Sequence, residues 1–237
     1  KGMEISEYLS KESLAQQGGF ALASKVAQHD ESWLIFMDMV HKQIPTFEDK
    51  AEAPHYFPMW RTWFSLHGLC KLPWNDIIPE SNKTAKEPAK VPEHVENYTW
   101  LYEGVTGEKI DVDGIIEQSE RVYNFQRLFN LRLGFGTREH DYPPYRAMGP
   151  VTVIEYEERA SYYDQQLRDD VGIDPGPLST PEKVAIMRNY REQRYDKLVD
   201  AVYKRRGWTS NGVPTLETIH RLGIDYPDVV ELAQRNQ

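Results

Sequence analysis

Apolar and polar residues follow one another along most of the chain at the spacing of amphipathic helices. Residues 12–40 lack proline and fit two helices, with Gly18 and Gly19 marking a break or a close packing contact. Pro45, Pro54 and Pro58 then predict a connecting segment. The helix predicted after it carries an aromatic stripe made of Trp60, Trp63, Phe64 and His67.

That helix is predicted to end near Gly68, which places Cys70 just beyond its last turn. Residues 73–92 contain prolines among polar residues and predict an exposed loop. Helical spacing resumes over residues 92–104. A stronger helix follows Asp113, a predicted N-cap, and its inward face is expected to consist of Ile115, Val122, Phe125, Phe129 and Leu133.

The clearest helix start lies at residues 180–182, where a capping threonine, a proline and a glutamate follow one another. This helix should run to Arg206 and end at Gly207, and a short helix should follow over residues 214–223. Residues 152–156 form a single short β-branched run, so strand content should be minor. The predicted fold class is mostly α, with irregular helical domains. The predicted inward residues of the long helix are Val184, Met187, Tyr195, Leu198 and Val202.

Composition narrows the classes of function. Hydrophobic residues make up 40% and charged residues 27% of the 237 positions, as in ordinary folded domains. No apolar run approaches the roughly 18 residues of a membrane span, and the net charge of -9 argues against nucleic-acid binding. The single cysteine, Cys70, excludes an internal disulfide and favours a reducing cytoplasm. Because the chain begins with Lys1, we expect it to be part of a longer polypeptide.

General catalytic motifs are missing from the sequence. It has no glycine-rich phosphate loop, no His-Glu-x-x-His, no cysteine pair and no Gly-x-Ser-x-Gly. The seven histidines include no pair at the spacing that places two metal ligands on one helix face. Without further information, Cys70 would be interpreted as a small buried hydrophobic residue. We therefore do not expect a self-contained active site.

Three blocks, at residues 120–132, 134–144 and 203–224, contain recognisable motifs in a fixed order. Together they resemble the C-terminal portion of the tungsten-containing aldehyde:ferredoxin oxidoreductase family. Residues 120–132 (ERVYNFQRLFNLR) are similar to an arginine- and asparagine-rich helix of that family. Residues 134–135 (GF) and 138–144 (REHDYPP) resemble its next turn and acidic loop, and residues 203–208 (YKRRGW), 212–215 (GVPT) and 222–224 (LGI) resemble its ending. We interpret these blocks as mainly structural, with Arg121, Asn124, Arg127 and Asn130 binding backbone carbonyls or carboxylates.

Residues 65–71 (SLHGLCK) resemble the family's Asp-x-x-Gly-Leu-Cys segment. In the family this cysteine is the fourth thiolate ligand of a [4Fe-4S] cluster, so the resemblance implies that Cys70 is a metal ligand. Thiolates bind iron well, and a Gly-Leu-Cys turn allows the backbone to approach a cofactor closely. The family's aspartate is Ser65 here, which weakens one charge-assisted pterin contact. Leu69 and Lys71 are expected to contribute main-chain groups to pterin binding.

The opening of the chain resembles the family over residues 1–4 (KGME) and 19–24 (GFALAS). The family then has an Arg-Gly-Ala-Cys-His stretch whose histidine assists proton transfer, whereas this chain reads KVAQHD over residues 25–30. Aligning His29 with that histidine requires a gap, and the Arg-Gly pair is missing. The resemblance makes His29 the candidate catalytic residue, with a surface or helix-capping role as the alternative. Lys25 is a candidate for a phosphate or pterin contact.

The resemblance implies an enzyme that oxidises aldehydes to carboxylic acids, with tungsten or molybdenum held by two pterins and electrons passing through a [4Fe-4S] cluster to ferredoxin. Residues 1–45 would end the middle helical domain, and residues 46–237 would form the C-terminal helical domain. The expected partners are ferredoxin or another electron-transfer subunit, the N-terminal part of the same enzyme and, as a homodimer, a second copy. Trp60, Trp63 and Phe64 would pack in the core or line a substrate channel. Two alternatives remain: a related tungsten enzyme that reduces an aromatic acyl-CoA thioester, and a non-catalytic helical interaction module.

Overall fold

The structure, a computed structural model, describes residues 11–24, 34–70 and 96–237. Within these ranges the chain forms helices and turns and contains no β-strand, although Trp208 and Pro214 form an isolated antiparallel bridge. The prediction of a mostly α fold is confirmed. The helices are α1 (Leu14–Ala21), α2 (Phe47–Leu66), α3 (Glu96–Thr106), α4 (Val112–Arg132), α5 (Val153–Glu158), α6 (Ala160–Gln166), α7 (Thr180–Arg206), α8 (Leu216–Arg221) and α9 (Pro227–Asn236).

Shorter helical turns connect these elements. Phe36–Val40 and Leu167–Val171 are π-helical, and Arg138–Asp141 and Tyr145–Met148 are 3-10 turns. Among the described helices, none combines the length and the apolar character needed to cross a membrane.

Helix α2 contradicts the predicted connecting segment, because it runs through Pro54 and Pro58. Thr46 starts the helix by accepting a hydrogen bond from the backbone of Asp49, and the Asp49 carboxylate accepts one in return from the Thr46 backbone. Pro58 has no N–H to donate to the carbonyl of Pro54. Arg206 Nη2 donates to that carbonyl instead at 2.9 Å, so a side chain from α7 replaces the lost helical hydrogen bond.

Helix α7 begins and ends as the sequence predicts. Its N-cap is Ser179, one residue before the predicted threonine, and Glu182 completes a capping box with it. Gly207 adopts a left-handed conformation with φ of 65° and ends the helix. Four of the five predicted inward residues are fully buried, and Val184 is half-buried. The tyrosine and aliphatic side chains of α7 pack with α1, α2 and α4 in one core cluster.

Gly18 lies in α1 at a close helix contact, one of the two alternatives considered for the glycine pair. A Cβ atom added at this position would be 2.6 Å from Cδ2 of Leu198 in α7. Glycine therefore lets the two helices approach each other closely. Residues 11–24 share the core cluster of α2, α4 and α7, and the predicted domain boundary near residue 45 stays a prediction.

The predicted inward face of α4 is largely wrong. Its N-cap is Asp111 and not Asp113, and Ile115 is buried as expected. Phe125, Phe129 and Leu133, however, are 45%, 55% and 58% exposed. The buried side of this part of the helix carries polar residues whose hydrogen-bond partners lie in distant parts of the chain, and it consists of Tyr123, Asn124, Arg127, Leu128 and Leu131.

The β-branched run at residues 152–156 is helical. Thr152 accepts a hydrogen bond from the backbone N–H of Glu155 and so caps α5. Tyr156 is buried in a cluster with Tyr163, Leu167 and Met187. Local capping and packing thus outweigh the modest strand preference of β-branched side chains.

Candidate functional site

The turn that carries Cys70 is set by the end of α2. Gly68 has a φ of 68°, a conformation that glycine adopts without strain. The Leu69 N–H donates to the carbonyl of Phe64 at 2.9 Å, which is the hydrogen bond of a Schellman helix stop. The helix therefore ends where the sequence predicts, and Cys70 follows two residues after the glycine.

Cys70 is exposed in the part of the chain that the structure describes. Leu69 is 38% exposed, and Ser65 is also exposed. The Ser65 hydroxyl donates to the carbonyl of Arg61 at 3.2 Å, within its own helix. Ser65 lies in the last turn of α2, and Leu69 and Cys70 follow the helix. Groups from outside this part of the chain can reach all three side chains.

A cluster of aromatic side chains packs at the end of α2, directly before this turn. The ring centroids of Trp63 and His67 are 4.4 Å apart, and Tyr98 of α3 contacts Trp63 and Phe64 at 5.7 and 5.1 Å. Burial raises the pKa of the Tyr98 hydroxyl above its ordinary value, so it stays protonated at neutral pH. Trp60, Trp63 and Phe64 are buried with Ile115 of α4, which favours core packing for these aromatic residues.

Three of the predicted site residues, Lys25, His29 and Lys71, lie outside the described residues. The structure does locate the point at which the chain enters the segment of Lys25 and His29. Asn130 Nδ2 on α4 donates to the carbonyl of Ser24 at 2.5 Å. This segment therefore begins beside the C-terminal part of α4.

The four polar residues predicted to bind carbonyls or carboxylates from α4 do so. Arg121 Nε donates to the carbonyl of Leu222 at 2.7 Å, and Asn124 Nδ2 donates to the carbonyl of Glu120 at 2.9 Å. Asn124 Oδ1 also accepts a hydrogen bond from Trp208 Nε1 at 2.7 Å. Arg127 Nε donates to the carbonyl of Gly212 at 2.9 Å. With Asn130 bound to Ser24, these contacts join residues 120–132 to residues 203–224 and to the opening of the chain, and they support the structural interpretation of these blocks.

Arg127 and Asp141 form a fully buried ion pair that sequence reasoning did not identify. Two guanidinium nitrogens donate to the two carboxylate oxygens at 2.9 and 2.7 Å. The Tyr203 hydroxyl donates to Asp141 Oδ2 and the Tyr195 hydroxyl to the Asp141 carbonyl, both at 2.5 Å. We call Arg127, Asp141, Tyr195 and Tyr203 the Arg127 network.

Charge in the Arg127 network is balanced within the chain. Burial lowers the pKa of Arg127, but the charge and hydrogen bonds of Asp141 outweigh this effect and hold the pKa above its ordinary value. The guanidinium also lies 4.7 Å from the ring centroid of Trp208. Sequence spacing gave no sign of this pair, because Asp141 lies in a turn beyond the helix that carries Arg127. We assign the network a structural role.

In the parts of the chain that the structure describes, no group of three or more His, Cys, Asp or Glu side chains is placed to hold a metal ion. The sequence contains one cysteine, so the chain can give one thiolate to an iron-sulfur cluster. An exposed thiol after a left-handed glycine fits a metal ligand whose metal centre has its other ligands in other protein groups.

The comparison with protein families agrees with this geometry. A family model described as "Aldehyde ferredoxin oxidoreductase, domains 2 & 3" matches residues 1–224. The chain belongs to the aldehyde ferredoxin oxidoreductase family. No curated protein matches the chain. Membership of this family identifies the chain as a helical part of a larger oxidoreductase and confirms the resemblance of its ordered blocks.

Proposed function

We propose that this chain is the C-terminal helical part of a tungsten- or molybdenum-pterin oxidoreductase, and that Cys70 is its one ligand to a [4Fe-4S] cluster. One observation carries the proposal: the thiol is exposed two residues after the glycine that ends α2. A thiol placed in this way is available to a centre whose other ligands come from elsewhere in the enzyme. The family match over residues 1–224 supports the same assignment.

The proposed reaction is the oxidation of an aldehyde to a carboxylic acid. One aldehyde and one water give one carboxylic acid, two protons and two electrons, and two oxidised ferredoxins each accept one electron. When bound, the metal-pterin centre and the cluster supply the oxidation and the one-electron transfers. The residues of this chain position these groups and shield them from solvent.

The remaining site assignments are proposals that rest on the family resemblance. We propose that the Leu69 carbonyl and the Lys71 backbone contact a pterin, since the Leu69 N–H is already bonded to Phe64. Lys25 would bind a pterin or phosphate oxygen. The His29 imidazole would accept or donate a proton during turnover. Ser65 would offer a neutral hydroxyl where the family has a carboxylate.

Metal analysis and activity of the full-length enzyme test the proposal together. We expect iron, acid-labile sulfide and tungsten or molybdenum in the anaerobically purified protein, and reduction of a viologen dye when an aldehyde is added. The viologen dye replaces ferredoxin as the electron acceptor. Protein that contains none of these metals after growth with iron, tungstate and molybdate would contradict the proposal and favour a helical interaction module.

A second reaction within the family has one observation in its favour. Ser65 replaces the family's aspartate, and its hydroxyl is bonded to the Arg61 carbonyl of its own helix. A changed pterin environment is compatible with the reduction of an aromatic acyl-CoA thioester. In the viologen assay, oxidised dye with a panel of aldehydes tests the first reaction. Reduced dye with an aromatic acyl-CoA thioester tests the second.

A further inference from the structure

Helix α4 presents apolar residues to solvent along its C-terminal half. Phe125, Phe129 and Leu133 recur every fourth residue and are 45%, 55% and 58% exposed. We call these three residues the outward face of α4. A surface helix normally places its apolar stripe toward the core and its charges toward water. Here the charged Arg127 is inside and the phenylalanines are outside.

The exposed charges beside the outward face are paired within the chain. Between Arg121 and Arg132 the one charged residue is Arg127, whose side chain is buried. The two flanking arginines are paired within the chain, Arg121 with Glu117 at 3.0 Å and Arg132 with Asp228 at 3.2 Å. An uncharged apolar stripe of this kind is typical of a surface that another protein surface covers.

The position of α4 connects the two segments that carry the predicted site residues. At its N-terminal end, Ile115 packs with Trp63 and Phe64 directly before the Cys70 turn. Near its C-terminal end, Asn130 holds the Ser24 carbonyl, where the segment of Lys25 and His29 begins. The helix has 21 residues. At a rise of about 1.5 Å per residue, the part from Ile115 to Asn130 spans roughly 22 Å between these two contacts.

We propose that the outward face of α4 is the docking surface for the domain that precedes the matched domains 2 and 3 in the same enzyme. The matched family model covers the second and third domains, which implies a first domain in the family's enzymes. The choice of this occupant rests on the proposed function, since the cluster ligands that Cys70 lacks must come from protein outside this chain. A domain that contacts both the Cys70 turn and the segment of Lys25 and His29 would lie against α4, because α4 runs between them.

The chemistry of the face favours a permanent contact over a transient one. Electron-transfer proteins that bind and dissociate use small surfaces steered by charge, whereas permanent interfaces are more apolar. The outward face has three large apolar side chains, and Arg132, the exposed charge beside Leu133, is paired with Asp228. A second copy of the chain is the other permanent occupant, and the experiments below distinguish it from the first domain.

Hydroxyl-radical footprinting of the native full-length enzyme tests the burial of this face without any substitution. Protection is measured for each side chain relative to the unfolded protein. We expect protection at Phe125 and Phe129 to exceed that at Ile154 by at least about fivefold if another surface covers them. Ile154 is the matched reference, because it is an apolar helix residue that is 69% exposed. Equal protection at the three residues would overturn the proposal.

The variant Phe129→Glu in the full-length enzyme identifies the occupant. A charge in an apolar interface should raise the rate of protease cleavage between the first domain and Lys1 by at least about tenfold, which corresponds to about 1.4 kcal/mol. Ile154→Glu should leave this rate unchanged. Helical circular dichroism at 222 nm checks that both variants are folded. If Phe129→Glu prevents folding, the cleavage rate is measured on the milder variant Phe129→Ser. The footprinting of the native enzyme then tests the burial of the face independently.

Three outcomes are distinguishable. Faster cleavage with an unchanged native mass supports docking of the first domain. A native mass that falls to one polypeptide while the cleavage rate stays constant would identify a second copy as the occupant and overturn the proposal. Iron content measured on the wild-type enzyme separates this inference from the proposed function. A cluster-containing enzyme with unchanged cleavage in Phe129→Glu keeps the function and overturns the docking surface.

Discussion

The Arg127 network and the turn that carries Cys70 lie at neighbouring helices but differ in how far the chain completes them. Both carboxylate oxygens of Asp141 are bonded to Arg127, and two tyrosine hydroxyls bind the same residue. Cys70, by contrast, is exposed and comes from a chain with no other cysteine. The first region is completed by residues of this chain, whereas we propose that the second acquires its chemistry from groups supplied by other protein.

Removing the guanidinium of the Arg127 network should have the largest effect on stability. Arg127→Met leaves the Asp141 carboxylate buried without its counter-ion, and the expected loss in the free energy of unfolding is about 3–5 kcal/mol. Denaturant unfolding of the full-length enzyme, followed at 222 nm, measures this loss. The matched control is Arg132→Met on the same helix, because its ion pair with Asp228 is more than half exposed. We expect the control to cost about 0–1 kcal/mol. Equal effects of the two substitutions would remove the distinction between the regions.

Trp208 should show an intermediate effect. Trp208→Phe removes the indole N–H that Asn124 Oδ1 accepts at 2.7 Å and leaves this oxygen buried without that partner. The expected cost is about 1–3 kcal/mol in the same unfolding experiment. Trp100→Phe provides the comparison, since Trp100 is 66% exposed and its replacement should change stability little. A Trp208→Phe enzyme as stable as Trp100→Phe would contradict the structural role of the indole hydrogen bond.

Ser65 should have the smallest effect on stability and a separate effect on the cofactor. Its side chain is exposed and its hydroxyl bonds to its own helix, so Ser65→Ala should change the free energy of unfolding by no more than about 0.5 kcal/mol. Ser65→Asp restores the family's residue and should strengthen retention of the pterin during gel filtration. Loss of pterin from Ser65→Asp would contradict the assignment of this turn to the pterin site.

Local signals predicted the helices whose ends are set locally. Helix α7 is an example, because its start is set by the neighbouring proline and glutamate and its end by the glycine that follows it. Helix α2 was mispredicted because the carbonyl of Pro54, which Pro58 cannot bind, receives its hydrogen bond from Arg206, 152 positions from Pro54. The rotation of α4 was mispredicted for the same reason, since the burial of Arg127 requires Asp141 and Gly212.

In the candidate site, the sequence predicted the position of the Cys70 turn but not the Arg127 network. Gly68 ends α2 and leaves Cys70 just beyond it, as the sequence indicated. The Arg127 network was missed because tyrosines and an aspartate from separate elements meet only in the folded chain. The chemistry at Cys70 could not be deduced from composition or spacing, because the other ligands of a cluster are not among the residues of this chain.

The iron content of Cys70→Ala in the full-length enzyme tests the central assignment most directly. If Cys70 holds a cluster, the wild-type enzyme should contain about four iron and four sulfide ions per polypeptide, and the variant should contain at most about three iron ions. Because Cys70 is exposed, the substitution should not change the helical circular dichroism of the protein. Cys70→Ala with the wild-type iron and sulfide content and an unchanged cluster spectrum would show that this thiol is not a ligand.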